Sequence, residues 1–176
     1  MYTDWLLKMK ENEAQTTLEE RVVELLAEHK MTVTTAESCT GGLIAATLVN
    51  VPGASDVLNE GYITYSNEAK IRLVNVSPET LERYGAVSSQ TAKEMANGAA
   101  KAAKAEAALS ATGIAGPGGG TEEKPVGLVY IGCSVNGKTT AKRCVFDGNR
   151  MENRQHTVET ALEMLVKHWK IWKNRK

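Results

Sequence analysis

Asn136 and Gly137 stand between two apolar, β-branched runs, GLVYIGCSV before them and KTTAKRCVF after them. An Asn-Gly pair accepts the two positive φ angles of a type I′ turn, whose twist matches that of the strands it joins. An antiparallel hairpin is therefore expected over residues 127–146. Upstream the pattern differs, because short strand-like runs alternate with helix-length segments, as in sheets whose faces are covered by helices. A chain that holds both patterns points to a mixed sheet.

The remaining elements follow from caps and periodicity. Thr17 and Glu20 form a T-x-x-E capping box, and Leu18, Val22, Leu25 and Leu26 continue at helical spacing to about Lys30. MTVTTA reads as a strand ending at Glu37, and GGLIAATLVNV as a helix running up to Pro52. EGYITY, residues 60–65, is a second strand, and SNEAKIRLV a short helix with Ser66 or Asn67 as its cap. Pro78 behind Ser77 opens another helix, and the alanine-rich run from Ser89 to about Lys104 a further one. EAALSATG is apolar enough for a buried strand and leads into the loop GIAGPGGGTEEKPVG. In the last segment, Val158, Leu162, Leu165 and Trp169 line one helical face. The order α-β-α-β-α-α-α-β-β-β-α predicts helices on both faces of a mixed sheet with one hairpin. In such sheets ligands gather at the carboxyl ends of strands, where Ser38, Tyr65 and Gly113 all fall.

Composition narrows the partners. The chain's 176 residues match one domain, assigned to residues 17–176, with residues 1–16 as an amino-terminal extension. Its 21 basic and 21 acidic residues cancel, so no global field draws it to nucleic acid or to a membrane surface. The basic end around Trp169 and Trp172 reads as the solvated terminus of a helix anchored by its tryptophans. Cys39, Cys133 and Cys144 form no CxxC pair and fit reduced thiols, hence a cytoplasmic setting. MYTDWLLKMKENEAQ lacks the charge and the length of a secretory leader, and no apolar run is long enough to span a bilayer.

The candidate chemistry centres on TTAESCTGG, Thr34 to Gly42. A hydroxyl at a strand-to-helix turn lies beside backbone N–H groups and the positive end of a helix dipole. Locally, Ser38 or Thr40 equally reads as a helix cap. His29, His156 and His168 fall within expected terminal helices, so a Ser-His-Asp triad is not expected; a buried lysine can replace histidine as base, and Lys70 is the one lysine near a predicted strand end. Cys39 is the rival nucleophile, or else a small buried residue. Tyr65 is either a packed strand tyrosine or a hydrogen-bond donor near Lys70. The loop from Gly113 to Gly120 fits neither the Walker nor the dinucleotide motif, leaving an anion cradle or a connector. Arg150 is a surface charge or a fork for phosphate. The scattered histidines and cysteines offer no metal site.

Taken together, TTAESCTGGLIA, GYITYSNEAKIRL, YGAVSSQTA, TGIAGPGGGTEEKPVGLVYIG and GNR, in that order, closely resemble the CinA carboxy-terminal-domain family, the nicotinamide-nucleotide amidases. The resemblance covers roughly Leu18 to Leu165. It implies a three-layer α/β/α sandwich with a mixed sheet and hydrolysis of nicotinamide mononucleotide to nicotinate mononucleotide and ammonia, in pyridine nucleotide salvage. No cofactor and no metal are implied, and a homo-oligomer is. The family's nucleophile corresponds to Ser38, its base to Lys70, and Tyr65 to a supporting catalytic residue. Substrate-binding positions correspond to Thr40, Gly41, Gly42, Thr112, Gly113, Gly116 and Arg150. Relatives commonly carry Asp where Asn149 stands, and many carry an amino-terminal molybdopterin-binding-like domain, so the chain resembles the stand-alone form. Some relatives are tied to DNA uptake, so a binding module without turnover is the alternative.

Overall fold

The computed structural model describes residues 16–174, so the expected extension at residues 1–16 falls outside the described residues except for Thr16. Six α-helices, α1 (Leu18–Glu28), α2 (Leu43–Val49), α3 (Asn67–Val74), α4 (Pro78–Tyr84), α5 (Ser89–Ala103) and α6 (Arg150–Lys173), surround five strands among the described residues. The strands are β1 (Val33–Glu37), β2 (Tyr62–Ile63), β3 (Ala107–Gly113), β4 (Leu128–Val135) and β5 (Lys138–Val145). They form one sheet in the order β2-β1-β3-β4-β5. β1 runs parallel to β2 and β3, while β3, β4 and β5 are successively antiparallel. This is the mixed α/β fold that the element order predicts. The hairpin closes on Val135 opposite Lys138, with Asn136 at φ 49° and Gly137 at φ 78°, the two positive angles of the expected turn.

Successive side chains of a strand point to opposite faces, and the two cores follow that parity. Val33, Leu109 and Ile131 join Val22, Leu26, Ile44, Leu48, Leu162 and Leu165 in a core between the sheet and α1, α2 and α6. Ala36 and Ala108 join Val74, Leu81, Met95 and Ala99 under α3, α4 and α5. No helix among the described residues is long and apolar enough to cross a membrane.

Most caps stand as expected. Thr17 Oγ1 accepts from the Glu20 amide while the Thr17 amide donates to Glu20 Oε2, and Ser66 Oγ accepts from the Ala69 amide. Trp169 is buried and Trp172 packs against the first core, as the anchoring reading of the basic end requires.

Two expectations need correction. The second strand shrinks from residues 60–65 to Tyr62–Ile63, the two residues that pair with Ala36 and Glu37 of β1, and Tyr65 already projects into solvent. The helix expected from Gly41 begins at Leu43, since Gly41 and Gly42 both take positive φ, 60° and 101°. Neither Ser38 nor Thr40 caps it, for the N-cap is Gly42 with no side-chain cap. The task falls to Glu37.

Candidate active site

β1 places its last residues by alternation. Glu37 turns toward α2, where its fully buried carboxylate takes the orphan donors of that helix: Oε2 accepts from the Gly42 and Ile44 amides, both at 3.0 Å, and Oε1 from the Ala45 amide at 2.9 Å. Ser38 is half-buried, anchored by its amide on Ala111 O at 2.9 Å, and its hydroxyl emerges on the α3 side of the sheet.

There it meets Lys70. The side chain of α3's fourth residue is only 1 % exposed, and its Nζ donates to Ser38 Oγ at 3.2 Å. It donates also to the carbonyl oxygens of Thr64 at 2.9 Å, Tyr65 at 3.3 Å and Ser66 at 3.5 Å. The sequence points to Lys70 as a base but not to this cradle, which the chain between β2 and α3 supplies. Burial holds the Lys70 amine below the ordinary lysine value, with the Cys39 thiol and Glu68 acting in the opposite sense. Cys39 packs into the α2 and α6 core instead, and burial pushes its thiol up to about 11, so the rival nucleophile is kept in its unreactive form.

The rim comes from three separate segments. Arg150, the first residue of α6, donates from Nη1 to Gly116 O at 2.8 Å and from Nη2 to the Tyr65 hydroxyl at 3.4 Å. That hydroxyl belongs to a side chain that is 63 % exposed. The glycine loop is therefore tied down: Asn153 Nδ2 donates to Ala115 O at 3.0 Å, and Lys124 Nζ to Tyr84 O at 2.9 Å. Thr112 and Gly113 lie within β3, where the Thr112 hydroxyl is engaged by Ala86 O at 2.8 Å and Gly113 pairs with Val129. They shape the loop's root.

The turn amides divide unequally. Ser38, Gly41, Gly42, Leu43, Ile44 and Ala45 all donate to oxygen atoms, the Gly41 amide to Ser38 O and the Leu43 amide to Thr40 O. The Cys39 and Thr40 amides have no oxygen acceptor among the described residues; both act on the buried Cys39 sulfur, and Thr40 is fully buried. Two residues that sequence reading missed hold this turn from either side, Glu37 from within and Arg154 from α6, whose Nη2 donates to Thr40 O at 2.8 Å. The four-residue spacing of Arg150 and Arg154 on one helix was the available signal for the latter.

His29, His156 and His168 contact Trp169, Phe146 and Thr140 respectively, away from Ser38. Among the described residues no three His, Cys, Asp or Glu side chains come together as a metal site would require.

Known proteins share this arrangement's framework. The model of the CinA C-terminal domain matches residues 15–169. A putative competence-damage inducible protein of Alkaliphilus metalliredigens is 56% identical over 153 residues, which are 87% of this chain and 37% of the relative. The chain thus spans little more than a third of the curated relatives it matches. The crystal structure of the competence/damage inducible protein CihA from Agrobacterium tumefaciens superposes with a TM-score of 0.83 at 47% identity, covering 85% of this chain and 92% of that one. The competence damage-inducible protein A of Klebsiella pneumoniae gives a TM-score of 0.85 at 35% identity, over 88% of this chain and 96% of that one.

Proposed function

The chain belongs to the CinA C-terminal domain family, and from that premise we propose that it is an amidohydrolase that converts nicotinamide mononucleotide to nicotinate mononucleotide and ammonia. The observation that carries this reading is the 3.2 Å contact between Ser38 Oγ and a buried Lys70 Nζ. Burial favours a neutral amine, which has the lone pair a base needs.

The steps balance with protein groups and water alone. Ser38 Oγ attacks the carboxamide carbon while its proton passes to Lys70 Nζ, and the carbonyls of Thr64, Tyr65 and Ser66 stabilise the ammonium that forms. The oxyanion forms beside the turn that follows Ser38, where one hydrogen-bond donor is worth about 3–4 kcal/mol of barrier. Lys70 returns the proton to the leaving nitrogen, the C–N bond breaks and ammonia departs. Water then attacks the ester carbon and gives one proton to Lys70, which passes it to Ser38 Oγ as the ester C–O bond breaks; the carboxylic acid leaves and loses its remaining proton to solvent. Tyr65 supports Lys70 through its carbonyl and steadies Arg150 through its hydroxyl. Arg150 offers a planar cation to the phosphate, and Gly116 and the turn of Thr40, Gly41 and Gly42 border the substrate.

The test is to incubate the purified chain with nicotinamide mononucleotide and follow ammonia and nicotinate mononucleotide. Ser38→Ala is expected to reduce release to background, and Lys70→Ala to lower it by roughly 10²–10⁴-fold. Wild-type rates in both variants would rule out the dyad. Tight nucleotide binding with no product from the wild-type chain would favour the binding-module alternative.

A further inference from the structure

Glu37 has no part in the chemistry just described, yet it touches the supports of both reacting groups. Its carboxylate, 0 % exposed, binds the Gly42, Ile44 and Ala45 amides that follow the nucleophile turn. Its main-chain oxygen accepts from the Thr64 amide at 2.8 Å, and the Thr64 carbonyl is the shortest contact of Lys70 Nζ, at 2.9 Å. The side chain therefore grips the turn behind Ser38, while the backbone grips the cradle of the base.

We propose that Glu37 is a positioning residue that, by engaging the first amides of α2, sets Ser38 Oγ at proton-transfer distance from Lys70 Nζ. A carboxylate suits this task because it only accepts: two oxygens take three N–H groups, and no hydrogen of its own opposes them. A carboxamide of equal size would turn an N–H₂ against at least one of those amides and loosen the turn. This inference rests on the amidase reading, and the experiment separates the two.

Glu37→Gln and Glu37→Asp are compared with the wild-type chain in two assays, ammonia release from nicotinamide mononucleotide and sulfonylation of Ser38 by phenylmethanesulfonyl fluoride, read by mass. In the second, the serine oxygen bonds to sulfur, fluoride leaves, and the serine proton goes to Lys70, so no nucleotide is required. Folded Glu37→Gln is expected to lose about 10–100-fold in kcat, as a misplaced reacting group does, with KM within about twofold and sulfonylation slowed in proportion. Glu37→Asp, which keeps both oxygens, recovers part of each rate. Wild-type kcat and wild-type labelling in a Glu37→Gln chain that merely melts earlier would overturn the proposal. Should Glu37→Gln not fold, Glu37→Asp decides alone, and unchanged kcat and labelling there would also overturn it. A wild-type chain that is sulfonylated at Ser38 but hydrolyses no nucleotide carboxamide would sink the substrate reading, and the labelling comparison would still judge Glu37.

Discussion

At the residue scale, the sign of the Lys70 shift has consequences that can be measured. Burial lowers the amine below the ordinary lysine value of 10.5, so the basic form that the mechanism needs appears at lower pH. Ammonia release is expected to rise with pH along a limb whose midpoint lies below 10.5, checked by the pH dependence of kcat/KM in wild type; a midpoint at or above that value would contradict it. The same shift bears on stability. In the window between the folded and ordinary values the unfolded chain binds more protons, so this group's contribution makes the fold more stable as pH rises through that window. Cys39 makes the opposite case, since its thiol, at about 11, stays protonated near neutrality. Cys39→Ala is therefore expected to keep most of the wild-type ammonia release, and loss to the level of Ser38→Ala would restore the thiol as a nucleophile candidate.

At the scale of elements, the site depends on how closely α5 lies against its neighbours. A Cβ at Gly98 would collide with the Val74 carbonyl oxygen, and Val74 ends α3, the helix that carries Lys70. Gly98→Ala is expected to destabilise the protein by about 1–3 kcal/mol, the usual cost of overpacking, and to lower activity with it because α3 must shift. Denaturant unfolding and the ammonia assay check the pair; unchanged stability would mean the two helices separate more freely than their packing implies. Elements themselves were legible where the signal is local. The Thr17 box, the Ser66 cap, Pro78 and the Asn136–Gly137 turn each act over four residues or fewer, and each stands where it was read. The second strand was legible only as a β-branched run. Its length depends on where the run meets β1, where only Ala36 and Glu37 pair with it, and the run does not encode that.

In the molecule as a whole, one chain holds the proposed nucleophile and base, the glycine loop and Arg150 on elements spread from β1 to α6. The 176-residue chain is thus expected to release ammonia without added protein, at a rate unchanged by dialysis against EDTA, since every proposed step uses a side chain, an amide or water. Activity that disappeared with EDTA and returned with one metal would overturn that mechanism. Light scattering at a multiple of the chain mass would support the expected homo-oligomer. The residue types and the short-range elements can be read from the sequence, because caps, turns and hydrophobic periodicity act between near neighbours and need no partner from afar. It takes the folded chain to bring Ser38 and Lys70, 32 residues apart, into contact, and to make Glu37 rather than a hydroxyl satisfy α2. Both outcomes follow from strand parity and sheet order together. A side chain's direction along β1 sends Glu37 to one face and Ser38 to the other, and which groups wait there depends on which strands and helices have packed against β1.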